Sequence, residues 1–301
     1  MSHAARIFTR RHHRKRHLAG ILVLAILIAW MVLWSLAALY VDRQIDRALV
    51  LAKQARIDVT YERRFINGNP FSVHAHLEPL HIKLENGNEI NAKESVFYLK
   101  LWQQNEISGK LRDGITAQLM GHDLTAGIVR FSAAQEPEEL HLWLNPLGVT
   151  FTEETPFALG NQMDEANFRF RIIGPTPNFT KTDSLQNWRD VGGMIEFDEF
   201  ELNWGPLYVA ARGNLALDEN LQPQGAFAGR VQGLDETIGI LATRDQIDNS
   251  QLSLLRATMD VLARPASMMG SSSSMVLPVA LHSNQLYFGP VRLLELPKIE
   301  W

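Results

Sequence analysis

From Leu18 to Val41 the chain runs for 24 residues, LAGILVLAILIAWMVLWSLAALYV, without a formal charge. As a helix at 1.5 Å per residue the run is about 36 Å long, enough to cross a hydrocarbon core of about 30 Å with some tilt. Trp30 and Trp34 lie within it and Tyr40 stands at its far end, where an amphipathic ring suits the membrane interface. Ser35-Leu36-Ala37 also has the small-x-small spacing of a signal-peptidase site. Signal-peptide apolar regions usually span 7–15 residues, so a retained transmembrane helix over 18–41 is the expectation.

Charge sets the orientation. Residues 1–17 carry six basic side chains (Arg6, Arg10, Arg11, Arg14, Lys15, Arg16) and no acid. The positive-inside rule keeps this tail cytoplasmic and sends residues 42–301 across the membrane. Because a Cys-free ectodomain suits a bacterial periplasm, the expectation is a single-pass inner-membrane protein with a periplasmic C-terminal domain. The remainder of the chain is net acidic, which disfavours nucleic-acid binding, because duplex binding needs a basic face. The chain has no Cys, which excludes disulfides, thiolate zinc sites and thiol nucleophiles. The histidines of the tail (His3, His12, His13, His17) read as part of its basic flank.

Beyond the span, Val41, Ile45, Ala48, Leu49, Ala52 and Ile57 recur at helical spacing, so a juxtamembrane helix over 42–58 is predicted. Alternation then takes over. Phe71, Val73, Ala75 and Leu77 share one face of a strand, and Leu80–Leu84 extends it to a turn at Glu85–Asn88. Further strands are read at 96–102, 115–119, 124–132, 140–144, 167–173, 194–204, 207–217, 226–231, 276–282 and 285–294, separated by short Asn, Asp, Gly and Pro turns. Helices are expected at Thr182–Arg189 and near 235–263, the latter with Leu252, Leu255, Met259 and Leu262 on one stripe before Pro265. The fold class is therefore mainly β with some α: an N-terminal transmembrane helix, then an antiparallel curved-sheet or sandwich ectodomain with a few packing helices. The ectodomain divides into a first β-rich region, 59–180, and a second, 181–301.

Aromatic-Gly-Pro followed by alternating apolar residues occurs at Trp204–Val209 and Phe288–Leu293, with a looser copy at Asn69–Val73. It reads either as a proline opening an outer strand or as a duplicated β-unit.

The search for chemistry returns little. His74, His76 and Glu78 point the same way from one strand, with His81 downstream, and His-x-His strands do build zinc sites. The same face is also the polar side of a half-buried strand, and no second His pair neighbours it, so no metal is expected. Glu136/Glu138/Glu139, Glu153/Glu154 and Glu196/Asp198/Glu199 read as solvated charge. The chain has no HExxH, Walker loop or Gly-x-Ser-x-Gly, and the Ser271–Ser274 run reads as linker. An enzyme is not expected, nor a cofactor.

Gly68-Asn69-Pro70-Phe71, Trp204–Leu207, Gly213–Asp218, Gln222–Gly225, Leu277–Leu281 and Leu286–Val291 occur in an order that resembles an alphaproteobacterial family of single-pass envelope proteins, domain of unknown function twenty-one twenty-five. The resemblance covers most of residues 42–301 and brings no activity or site residues with it. The Gly-x-Leu-x-Leu-Asp and Pro-x-Gly strands are also distantly similar to those of AsmA-like proteins, which resemble periplasmic lipid bridges; that likeness is one of fold.

One-sided amphipathic strands that outnumber their helical cover must bury their apolar faces on something. Lipid held along an apolar β groove is the leading expectation, with Phe71, Val73 and Leu77 lining it. The alternative is an envelope scaffold that recruits protein partners and holds no small molecule.

Overall fold

In a computed structural model the described residues are 4–301, apart from 70, 86, 101, 104, 120–121, 153–158, 180, 244–252, 254–274, 289–290, 297 and 300. Helix α1 runs unbroken from Ala4 to Gln54, so the span and the juxtamembrane segment are one rod that ends a turn short of the predicted limit. Arg56, at φ 58°, follows it and turns the chain into the sheet.

That sheet has fourteen antiparallel strands in nearly sequential order. They are β1 (Asp58–Asn69), β2 (Ser72–Lys83), β3 (Glu89–Ala92), β4 (Glu94–Lys100), β5 (Glu106–Leu119), β6 (His122–Gln135), β7 (Glu139–Phe151), β8 (Gln162–Ile173), β9 (Met194–Trp204), β10 (Leu207–Leu217), β11 (Pro223–Gln232), β12 (Met275–His282), β13 (Gln285–Phe288) and β14 (Val291–Glu295). The short strands β3 and β4 share the space between β2 and β5. The architecture is thus one long meander rather than two packed sheets. Neighbouring strands rotate by about 20° on average, so a sheet of this width coils rather than lying flat. The boundary expected near residue 180 does not interrupt it: β8 pairs with β9 from Ile173↔Met194 to Glu165↔Asn203.

Among the described residues, helices α2 (Thr182–Asp190) and α3 (Leu234–Thr243) flank the later strands. The helix expected around Leu252–Leu262 and the Ser run fall almost wholly outside the described residues. The strand read over 285–294 is two, β13 and β14, and β1 has no counterpart among the strands read from sequence.

The aromatic-Gly-Pro segments turn out to share one role. Trp204 pairs with Leu207, Phe288 with Val291 and Asn69 with Ser72, so each copy closes a hairpin with two central residues. Gly205 has φ +57°, the left-handed value that lets such a turn follow the twist of its strands. Pro206 therefore sits in the turn and does not open an outer strand.

Buried residues gather in two places. Under α1, Val73 and Ala75 of β2 are fully buried against Ala37 and Val41, and Leu77, Leu80, Ala92, Leu111 and Ile115 continue that core past Ile45. Ser95, enclosed here, gives its hydroxyl proton to the Leu77 carbonyl. Under α2, Leu185 and Trp188 pack on Ile172, Leu217 and Leu221. The Trp188 indole N–H donates to the Ile173 carbonyl at 2.8 Å, and its ring lies where a Cβ on Gly193 would fall, so only glycine fits there. The C-terminus closes over the same end: Trp301 Nε1 donates to the Leu221 carbonyl at 2.7 Å, and Gln222 exchanges two hydrogen bonds with the Ile299 backbone.

Candidate functional site

Strand register converts the alternation of the sequence into two chemically opposite faces. Starting from Val73, the directly opposed residues on successive strands are Leu99, Ile107, Ala133, Leu142, Phe170, Phe197, Gly213, Phe227 and Val279. Starting from Ala75 they are Phe97, Gly109, Phe131, Leu144, Phe168, Phe200, Ala211 and Gly229. Two adjacent rows, each crossing from β2 to β11 or β12, contain no polar side chain. We call this the inner face. The row starting from His74 lies on the other side and reads Tyr98, Ser108, Ser132, Trp143, Arg169, Glu199.

Packing along the inner face is uneven. Its β2 end is sealed by α1, and one margin of β7–β10 lies under α2. Between them Phe131, Phe168, Phe200 and Phe227 are half-buried and Leu144 is 38% exposed. The rings form two groups: Phe168 to Phe200 at 5.2 Å, Phe170 to Phe197 at 5.5 Å, Phe197 to Phe200 at 6.4 Å and Phe197 to Phe227 at 5.4 Å, and, across Leu144, Phe97 to Phe131 at 5.8 Å. Glycines let the rings lie down on the strands, since a Cβ on Gly109 would meet the Phe131 ring and one on Gly213 the Phe227 ring. The result is a broad, shallow apolar surface with no hydrogen-bonding side chain in its two central rows.

Where α1 crosses the first strands the face deepens into a cavity of about 490 Å³. Tyr40, Ile45, Ala48, Leu49 and Ala52 roof it; Leu77, Leu80, Ile82, Phe97 and Leu99 floor it. Its rim is polar, formed by Lys100, Gln103, Asn105 and Glu106. This volume falls within the range of small-ligand sites and its lining is almost wholly hydrocarbon, the composition that suits an acyl chain. The amphipathic stripe Val41–Ala52 signals a covered helix face in the sequence, but only the tertiary crossing shows the gap beneath it.

The three residues expected to line a groove separate. Leu77 lines the cavity. Val73 is sealed beneath α1 with no exposed surface. Phe71 lies in the β1–β2 turn, 53% exposed, and packs against Trp30 and Trp102 rather than on the inner face. Strict alternation places it with Val73, but β2 begins at Ser72, after the turn. The residues missed by sequence reasoning are the central ones, Leu144, Phe168 and Phe200. Their alternation was visible; which of the two faces stays open was not.

The histidines and carboxylates make other partnerships. His74 Nε2 is 3.2 Å from Ser72 Oγ and its ring meets Tyr98 edge-on; burial, then the neighbouring His76, lowers its pKa below the ordinary 6.5. His76 stacks on Phe65 and its Nδ1 lies 3.4 Å from Glu78, while His81 bonds Asn91 at 2.8 Å. Among the described residues no group of three His, Cys, Asp or Glu could hold a metal ion. Arg171 collects the acids of the outer face, with Asp198 at 3.1 Å, Glu196 at 2.8 Å and Glu139 at 3.3 Å; the Asp198 hydrogen bond foremost holds its guanidinium pKa above the usual value. Arg169 pairs with Glu199. Glu153 and Glu154 lie outside the described residues.

Comparison with known families gives one match. The model of a family described as an uncharacterized protein conserved in bacteria, DUF2125, matches residues 123–297. The chain belongs to this family. The matched segment takes in β6 to β14, the open part of the inner face, and starts after the strands that α1 covers. A search of curated proteins found no match. The N-terminal helix is long and apolar enough to span a membrane, consistent with single-pass anchoring.

Proposed function

We propose that this protein is anchored in the bacterial inner membrane, with its tail cytoplasmic and its sheet periplasmic, and that it holds or passes lipid without chemical turnover. The observation that carries the reading is the inner face: two polar-free rows that lead from a cavity beside the membrane helix to an open floor of phenylalanines. Burying a CH₂ stabilises by about 0.8 kcal/mol, so an acyl chain of ordinary length laid along this floor gains several kcal/mol from contact alone. No acid, base or nucleophile stands in those rows, which supports a non-enzymatic role. The basic tail supports the orientation.

A second reading keeps the scaffold role. Among the described residues β14 pairs only with β13, so its other edge is available for strand addition by a protein partner.

The test uses the full chain, because cutting at residue 42 would remove Ala37 and Val41 from the core beneath α1. Protein purified in a mild detergent and washed to remove annular lipid is weighed by native mass spectrometry, then extracted with organic solvent. A stoichiometric phospholipid or acyl species is expected. A clean ligand-free mass transfers support to the scaffold reading.

A further inference from the structure

Three exposed aromatic side chains meet at a height on α1 where a soluble domain should not reach. Trp30 is 43% exposed, Phe71 in the β1–β2 turn 53% and Trp102 after β4 62%. Their rings form a chain, Trp30 to Phe71 at 5.6 Å and Phe71 to Trp102 at 6.2 Å. Trp30 belongs to the membrane-spanning run. Counting from Leu18, just after the last basic residue, Trp30 lies about 18 Å along the helix, whereas a hydrocarbon core of about 30 Å extends to the neighbourhood of Ala37 or Ala38. The two strand tips therefore descend past the level at which the hydrocarbon ends.

The polar groups around them agree with that depth. The ion pairs of Arg64 with Asp42 and Asp46, at 3.0 and 2.7 Å, lie on the far side of Ala37, where water begins. In the β1–β2 turn, Asn69 Oδ1 accepts from the backbone N–H groups of both Phe71 and Ser72. In the β4–β5 turn the Gln103 and Glu106 N–H groups donate to the Lys100 and Gln103 carbonyls. Each turn pairs two of its backbone N–H groups internally, which lowers the cost of taking those groups out of water, and Trp at a tip is a side chain that membrane interfaces favour.

We infer that the β1–β2 and β4–β5 tips, carrying Phe71 and Trp102, are inserted in the membrane leaflet farther from the basic tail, beside α1. The partner is the acyl region of that leaflet. Insertion brings the polar residues at the cavity, Lys100, Gln103, Asn105 and Glu106, to the lipid headgroups, so a lipid reaches the cavity without crossing water. The inference rests on the membrane-anchored part of the proposed function and not on lipid being carried.

The chain has no Cys of its own, so single cysteines report one site each. Phe71→Cys, Trp102→Cys, Leu24→Cys in the span and Glu219→Cys in the exposed β10–β11 turn are labelled with an environment-sensitive fluorophore. Each full-length protein is reconstituted in phosphatidylethanolamine–phosphatidylglycerol vesicles. The expected result is blue-shifted emission at 71 and 102, quenched by acyl-chain nitroxide lipids about as strongly as at 24, and severalfold less quenched by iodide than at 219. Emission at either 71 or 102 that matches 219, with 24 still in lipid, overturns the inference alone. Position 24 in water overturns the anchored reading as well. Both exposed sites tolerate a label, and an unchanged far-ultraviolet circular dichroism spectrum verifies the fold of each variant.

Discussion

The strands beneath α1 and the strands beyond it bear the same pattern and meet different fates. In β2 the inward residues Val73, Ala75 and Leu77 are buried, because a helix lies across them. In β6 to β11 the inward residues are larger and more aromatic, yet Phe131, Phe168 and Phe200 remain half-exposed. A sheet needing only stability would bury its largest side chains best, since each buried aromatic contributes the most. Here Val73 and Ala75 are sealed while the phenylalanines of the open rows stay half-buried. The covered region thus fixes the sheet to α1, and the open region is the surface on which the proposed function rests. The family match starts at residue 123, on the open side of that division.

Four substitutions or conditions separate the two regions, taken from the largest expected effect. Leu80→Ala in the covered core should destabilise the protein by about 3 kcal/mol, measured by denaturant titration of the full chain in micelles, since the site cannot collapse under α1. Gly109→Ala, at the border of the two regions, forces the Phe131 ring off the strand and should cost about 2 kcal/mol in the same titration. Leu144→Ser on the open floor should change stability by less than about 1 kcal/mol while lowering the lipid recovered by extraction, because water already reaches that side chain. A large loss of stability there would mean the floor is a core and would break the comparison.

The smallest effect concerns pH. The folded protein holds His74 below its ordinary pKa, so the unfolded chain binds the extra proton first and stability falls as pH drops below about 6.5. The loss is complete once the pH is below the folded value. His74→Gln should flatten that part of a melting-temperature profile, leaving the open floor and its lipid unaffected.

Strand faces were legible where a single rule governs them. The spans Met194–Trp204 and Leu207–Leu217 coincide with β9 and β10, because turn residues mark both ends, although a register shift near Asp198 puts Phe197 and Phe200 on the same face. β1 was not legible: Glu62, Arg63 and Arg64 interrupt its pattern, and Phe65 and Ile66 are adjacent apolar residues on opposite faces. The buried side of β2 changes at Glu78–Pro79, so that Leu77 and Leu80 both face the core, which a strict period of two does not foresee. The site was legible only in part. Alternation identifies Leu77 and Phe168 as inward, but whether an inward face is covered depends on where helices land, and α1 is brought to β2 by packing between residues distant in sequence, such as Val41 and Val73.

The most direct test compares neighbouring residues on opposite faces of one strand. A photoreactive benzoylphenylalanine is placed at Leu144, on the inner floor, or at Trp143, in the outer polar row, and the cells are illuminated before membranes are prepared. Mass spectrometry of the purified chain should find a covalently attached lipid at position 144 and none at 143. Equal labelling at both positions, or none at 144, would contradict the assignment of the inner face as the lipid-holding surface.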